Sequence, residues 1–257
     1  MSALRFQSPI IARGAFMFAP GEVAPSAGRV TVLIGPNGGG KTTALRAAAG
    51  MLAPEQGAIL LDGAPVHTMP AAQRAARMAL VAQRPEVGAP FSVRDVVALG
   101  RVLRPASPER IAHALARSGL TQLADRPFHA LSGGQQQRVA VARAFAQHEP
   151  GGVLLLDEAF AAVDPPEAAA LVREIRAESA AGATVLAATH DLSVASALAD
   201  DVWCIAGGRS TAFGAARELL TRAALPSLLG VAVAEAHGSR GTIAVADYGG
   251  ILPEAPR

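Results

Sequence analysis

With 257 residues, 51% of them hydrophobic, and a formal net charge of +2, the chain is long enough to close a full core and suits one large α/β domain. Alanine supplies much of the apolar count, no apolar run reaches bilayer length and no basic-then-apolar leader opens the chain, so a soluble, cytoplasmic protein is expected. The one cysteine, Cys204, excludes an internal disulfide or a cysteine-rich metal site, while scattered arginines and 4% aromatics give no charge or stacking reason to expect nucleic acid.

Residues 1–29 predict a small β-rich part: Leu4-Arg5-Phe6 and Ala15-Phe16-Met17-Phe18 read as short antiparallel strands broken by Pro9, Gly14, Pro20-Gly21 and Pro25. The β-branched run Val30-Thr31-Val32-Leu33-Ile34 then delivers the chain into Gly35-Pro36-Asn37-Gly38-Gly39-Gly40-Lys41-Thr42-Thr43. This strand, glycine loop and helix fit G-x-x-x-x-G-K-[ST], in which backbone N–H groups turn inward around a polyphosphate where a Cβ would clash. The loop ends at a helix N-terminus, whose dipole favours anions. Lys41 is placed to reach the β- and γ-phosphates and the Thr42 hydroxyl to bind Mg²⁺, so a nucleoside triphosphate is the expected ligand.

Thr43 to Leu52 predicts a helix with Leu45, Ala48, Ala49 and Leu52 on one face, ended by Gly50 and Pro54. Ala58 to Leu61 reads as a strand closing in the turn Asp62-Gly63, Pro70 to Arg77 as a short helix, and Met78 to Val81 as a strand ending near Gln83. From Arg84 to Ala130 apolar residues recur at helical spacing around Pro105 and Pro108, which predicts a helical lobe, about residues 84–146, inserted into the α/β core. In Leu131-Ser132-Gly133-Gly134-Gln135-Gln136-Gln137-Arg138, Ser132 and Gln135 form a capping-box pattern, and the two glycines leave backbone N–H groups free in the first turn: a second anion site.

Val153 to Leu156 suits a strand buried on both faces, with Asp157-Glu158 at its carboxyl end. Asp157 is placed to hold Mg²⁺, directly or through water, and Glu158 to polarise a water for in-line attack. A helix over Glu167 to Ala181 follows Pro165-Pro166, Thr184 to Thr189 is another central strand ending at His190-Asp191, and Asp201 to Ala206 a further strand before the turn Gly207-Gly208. Strands alternating with helices predict a mostly parallel sheet with the ligand at the strands' carboxyl ends. His67, His113, His129, His148 and His237 lack any such setting and read as ordinary surface or packing residues.

In this order, Gly35 to Thr43, Gln83, Leu131 to Arg138, Val153 to Glu158, Asp164 and His190 make the chain resemble the nucleotide-binding subunit of an ABC transporter over most of residues 30–230. The resemblance implies a P-loop NTPase core with an N-terminal antiparallel β part and an inserted helical lobe, an ABC ATPase domain over 1–231 and a short tail over 232–257. It makes these pieces the Walker A loop, Q-loop, signature, Walker B with catalytic glutamate, D-loop and switch histidine. It further implies a homodimer in which ATP and Mg²⁺ lie between the Walker A loop of one copy and the signature of the other, with Ser132, Gly133 and Gly134 acting across the interface, Gln135 and Asp164 also binding nucleotide, and Gln83 touching both Mg²⁺ and the helical lobe. Partners so implied are integral membrane permease subunits and, indirectly, a substrate-binding protein, on the cytoplasmic face of the membrane.

The chain departs from the family pattern in three places. Ala159-Phe160 follows the glutamate where proline is usual, which predicts a looser turn. The D-loop reads Ala161-Ala162-Val163-Asp164. No aromatic lies near Ser8 to Ile11 to stack on adenine, leaving Phe6, Phe16 or Phe18 as substitutes. Val93 to Arg101 and the stretch from Gly208 to Val231 resemble ATPases of iron-siderophore, haem and cobalamin importers, and zinc and manganese importers share some of this. A soluble ABC ATPase acting on DNA or ribosomes is the rival from another class, and the chain has neither long coiled coils nor a second cassette.

Overall fold

A computed structural model describes residues 4–83, 87–229, 233–238 and 241–246. β1 (Leu4–Arg13) and β2 (Phe16–Phe18) form a hairpin around Gly14, whose φ of +59° suits a residue without Cβ. β1 runs through Pro9, which lacks a donor for the ladder; the strand accommodates it by a register shift between Gln7 and Ile10. The two short strands read from the sequence are thus the ends of a longer ribbon.

β3 (Val30–Ile34) leads through the glycine loop into α1 (Lys41–Ala48). That helix stops a turn before Leu52, because Gly50, at φ +68°, donates to Ala47 O and Met51 N donates to Arg46 O, the paired bonds of a Schellman ending. β4 (Gln56–Leu61) and β5 (Ala64–Pro65) turn at Asp62-Gly63; α2 (Ala71–Arg77) and β6 (Met78–Val81) follow as expected. The expected start of the helical lobe, Arg84, lies outside the described residues. Its body is α3 (Val93–Ala98), α4 (Pro108–Arg117) and α5 (Gly133–Gln147), with α3 and α4 packed on α5. Ser92 and Asp95 cap α3 reciprocally, and Ser107 with Pro108 starts α4.

β7 (Val153–Asp157), α6 (Pro165–Ala180), β8 (Thr184–Ala188), α7 (Leu192–Leu198) and β9 (Asp201–Ala206) complete the α/β alternation. α6 takes Pro165 and Pro166 as its first residues rather than starting after them, since a first-turn proline gives up an N–H that has no helical partner. β10 (Arg209–Ala215), not read as a strand from the sequence, folds back antiparallel on β9 through Gly207-Gly208, both at positive φ. α8 (Ala216–Leu219) and α9 (Leu225–Leu229) precede the hairpin of β11 (Val233–Gly238) and β12 (Gly241–Ala246), whose second strand lies against α7. Gly230, Val231 and Gly249-Gly250 lie outside the described residues.

The six-stranded sheet runs β10-β9-β3-β8-β7-β6, parallel except for β10; a second, antiparallel sheet runs β2-β1-β4-β5. Alternation along the parallel strands sends successive residues into two cores. On β7, Leu154 and Leu156 face the helical side while Val153 and Leu155 face the antiparallel sheet and α1. Both cores therefore grip the same strands, and the carboxyl ends of β3 and β7 are held in fixed relation where the glycine loop and Asp157-Glu158 emerge. Cys204 lies fully buried in β9.

Candidate active site

The glycine loop sits on the turn between β9 and β10. A Cβ at Gly35 would fall 2.0 Å from Ile205 O and one at Gly39 2.8 Å from the same oxygen, so the backbones touch where no side chain fits. Gly39 N donates to Pro36 O at 3.1 Å; Gly208 N donates to Gly39 O at 2.8 Å, and Ala19 N to Gly208 O at 2.7 Å. Gly208 therefore ties the loop to the β1–β2 ribbon. Gly40, at φ +119°, caps α1 without a side-chain bond, which leaves first-turn N–H groups for an anion.

Lys41 is buried, and its Nζ donates to Gly35 O at 2.8 Å and Pro36 O at 3.1 Å, folding the ammonium back over its own loop. Burial lowers its pKa, against the opposing charges of Glu158 and Asp157. Around it opens a cleft of about 760 Å³ lined by Asn37 to Thr43, Gln83 and Glu158, with Arg13, Gly14 and Phe16 at the side of the antiparallel ribbon.

Under the cleft, the Thr42 hydroxyl donates to Asp157 Oδ1 at 3.0 Å. Asp157 is buried, and burial raises its pKa against the Thr42 hydrogen bond. These oxygens, with Gln83 on the cleft wall, are hard donors of the kind that suit Mg²⁺. Among the described residues no cluster of three His, Cys, Asp or Glu side chains suits a metal.

Glu158 is only 8% exposed and holds φ at +53°, a left-handed conformation that costs a non-glycine residue about 1 kcal/mol or more. Its Oε2 lies 2.8 Å from His190 Nδ1, while the His190 ring stands 70% in solvent. The turn is not loosened by the missing proline. Glu158 N donates to Ala188 O, Ala161 N donates to Glu158 O, and Ala159 and Phe160 are both buried, so packing does what a fixed φ does elsewhere.

The expected site residues divide into two sets. Asn37 to Thr43, Gln83 and Glu158 line the cleft; Gly35 and Pro36 hold Lys41, Thr42 holds Asp157 and Glu158 holds His190. Ser132, Gly133, Gly134, Gln135 and Asp164 do not line it. Ser132 Oγ accepts from Gln135 N and Gln135 Oε1 accepts from Ser132 N, the capping box the spacing predicts, with Ser132 and Gly133 exposed. Asp164 caps α6 with no side-chain bond and is also exposed. Of the three aromatic substitutes, Phe6 and Phe18 are fully buried, Phe6 edge-on to Trp203; Phe16 lines the cleft. Sequence reasoning missed Arg13 and Gly14, whose signal was the glycine turn between two strands that brings Arg13 opposite Phe16.

Comparison with known proteins agrees with this geometry. The model of the family described as "ABC transporter" matches residues 22–161. The chain is 36% identical over 247 residues to the "Hemin import ATP-binding protein HmuV" of Pseudomonas aeruginosa, covering 93% of this chain and 97% of that one. It is 38% identical over 222 residues to the protein of the same name from Pseudomonas entomophila, covering 83% and 87% respectively. Among solved structures it superposes with a TM-score of 0.79 at 26% identity on a chain of a "putative metal-chelate type ABC transporter" in an inward-facing conformation, covering 98% of this chain and 100% of the other. A nucleotide-free ATP-binding cassette gives a TM-score of 0.73 at 24% identity, covering 84% and 92%, a likeness of fold. A phosphate loop leading into a helix, a buried Asp-Glu pair beneath it and these relatives lead to one conclusion: the chain belongs to the ABC transporter family, as one of its ATP-binding, ATP-hydrolysing subunits.

Proposed function

We propose that two copies of this chain close head to tail on ATP and Mg²⁺ and that the closure, reversed by hydrolysis, drives a membrane permease importing haem or a related iron chelate. The observation that carries the reading is the contact between Glu158 and His190, 2.8 Å, at the wall of a phosphate cleft from which the chain's own Ser132 and Asp164 are absent. A site with its base in place but its second set of anion donors turned outward calls for those donors from another copy.

Within one copy, the N–H groups of Gly38 to Thr43 and the Lys41 ammonium bind the phosphates, Lys41 exchanging its carbonyl partners for the β- and γ-oxygens. Thr42, Asp157 and Gln83 hold Mg²⁺, which neutralises charge on the phosphate oxygens when bound. Glu158 orients the attacking water and accepts its proton as the oxygen bonds to the γ-phosphorus; the bond to the β–γ bridging oxygen breaks and ADP takes that electron pair. His190 Nδ1 holds Glu158 in place, leaving Nε2 for the γ-phosphate. Phe16 stacks on adenine. Ser132, Gly133, Gly134 and Gln135, with Asp164, complete the partner's cleft.

The names of the relatives support haem as cargo, and the permease and binding protein would select it. Among the described residues no helix is long and apolar enough to cross a membrane, which suits a subunit docked on the cytoplasmic face. The test of the two-copy site is the mass of the Glu158→Gln variant by light scattering: doubling on addition of ATP and Mg²⁺ is expected, and a monomer at saturating nucleotide overturns it. For the cargo, a host lacking the gene should lose growth on haemin as sole iron source; undiminished growth rules haem out.

A further inference from the structure

Arg138 lies six residues along α5 from its cap Ser132, and its side chain is 9% exposed. Its Nη2 pairs with Glu167 Oε1 at 2.7 Å, in the first turn of α6 just beyond Asp164. Its Nη1 donates to Ser118 O at 3.3 Å and Gly119 O at 3.5 Å, where α4 ends. Gly119 makes room for it, since a Cβ there would stand 3.2 Å from Nη1. A second contact joins the same elements: a Cβ at Gly134 would fall 2.2 Å from Ala162 O, so the start of α5 presses directly on the turn before α6, with Ala162 at φ +60°.

We propose that Arg138 is a positioning residue that fixes Ser132 and Asp164 as one rigid face for the second copy of the chain; this rests on the two-copy reading above. Gly134 sets how closely α5 approaches the 161–164 turn, a single point of contact between the start of α5 and that turn. The Arg138–Glu167 pair, about one turn further along α5, adds a second, directional tie between α5 and α6. The clamp is stronger on its α6 side. The Glu167 contact is short and charged, whereas the contacts to the α4 end are long, and both Arg138 Nε and Ser118 Oγ are buried without partners. Lysine cannot replace this fork, because one ammonium cannot span both partners.

The test uses the full chain carrying Glu167→Gln, a change at a partly exposed side chain, and separately Arg138→Lys. For each, kcat for ATP hydrolysis and the affinity of the single copy for ATP without Mg²⁺ are measured, with the dimer formed in the Glu158→Gln background as a third readout. Both variants should lose turnover and dimer stability by about tenfold while ATP affinity stays within about twofold, and the double variant should be no worse than the poorer single one. Glu167→Gln that keeps full kcat and dimerises normally overturns the inference alone. So does a fall in ATP affinity matching the fall in kcat, since a general loss of structure would produce it. Failure of the Glu158→Gln parent to dimerise overturns the two-copy reading and this inference with it.

Discussion

Glu158 is held in a conformation that its residue type disfavours, between a sheet end that buries it and a histidine that reaches in from solvent. Strain of this kind persists because β7, β8 and the buried Ala159-Phe160 turn over-determine it, and it aims a carboxylate into the cleft. Replacing the base while keeping its shape should separate binding from chemistry: Glu158→Gln is expected to lower kcat by at least about a hundredfold with ATP affinity unchanged, read by phosphate release and nucleotide titration. Phe16 makes the complementary prediction. It is the aromatic among the three candidates that lines the cleft, and Phe16→Ala should weaken ATP by roughly tenfold while leaving inorganic triphosphate binding unaffected, the scale of one stacked base. Equal losses for both ligands would place the effect on the loop beside it.

At the scale of elements, the phosphate loop owes its shape to a turn far along the chain. A Cβ at Gly208 would fall 1.9 Å from Met17 O, while one at Gly207 would meet nothing within 4 Å. Gly208→Ala should therefore cost about 3 kcal/mol and reduce ATP affinity, whereas Gly207→Ala should cost about 1 kcal/mol, the price of its positive φ; thermal unfolding compares them directly. Much of the site was legible in order along the chain. Gly35 to Thr43, the capping box of Ser132 and Gln135, and Asp157-Glu158 each declare their geometry within a few residues. What was hidden depends on contacts distant in sequence: the seat of Gly39 on Gly208, Arg13 beside the glycine loop at the cleft, and Arg138 reaching Glu167. β10 escaped because small residues dominate its Arg209 to Ala215 alternation, leaving little apolar contrast between its faces.

Across the whole molecule, ionic contacts join the helical lobe to the core. Arg117 of α4 stacks on Phe145 of α5, 4.5 Å to the ring centroid, and pairs with Glu174 and Glu178 of α6; His148 Nδ1 lies 3.1 Å from the same Glu178. Burial raises the Glu178 pKa, but hydrogen bonds from His148 and Arg117 outweigh it and hold the carboxyl down to about 2, against 4.5 for a free glutamate. A depressed carboxylate stabilises the fold above its unfolded pKa and loses that contribution as pH falls through the folded value. Up to about 3 kcal/mol should thus disappear between pH 4.5 and pH 2, and Glu178→Gln should flatten that part of the stability curve in acid unfolding. Cys204 gives the molecule a different kind of opportunity. Burial in β9 raises its thiol to about 11, so at neutral pH it stays protonated and out of reach of a maleimide. A cysteine engineered at solvent-facing Ala169 of α6 would take a spin label alone, with no native thiol to delete, and if two copies pair as proposed, the separation between their labels would report that pairing as nucleotide is added and hydrolysed.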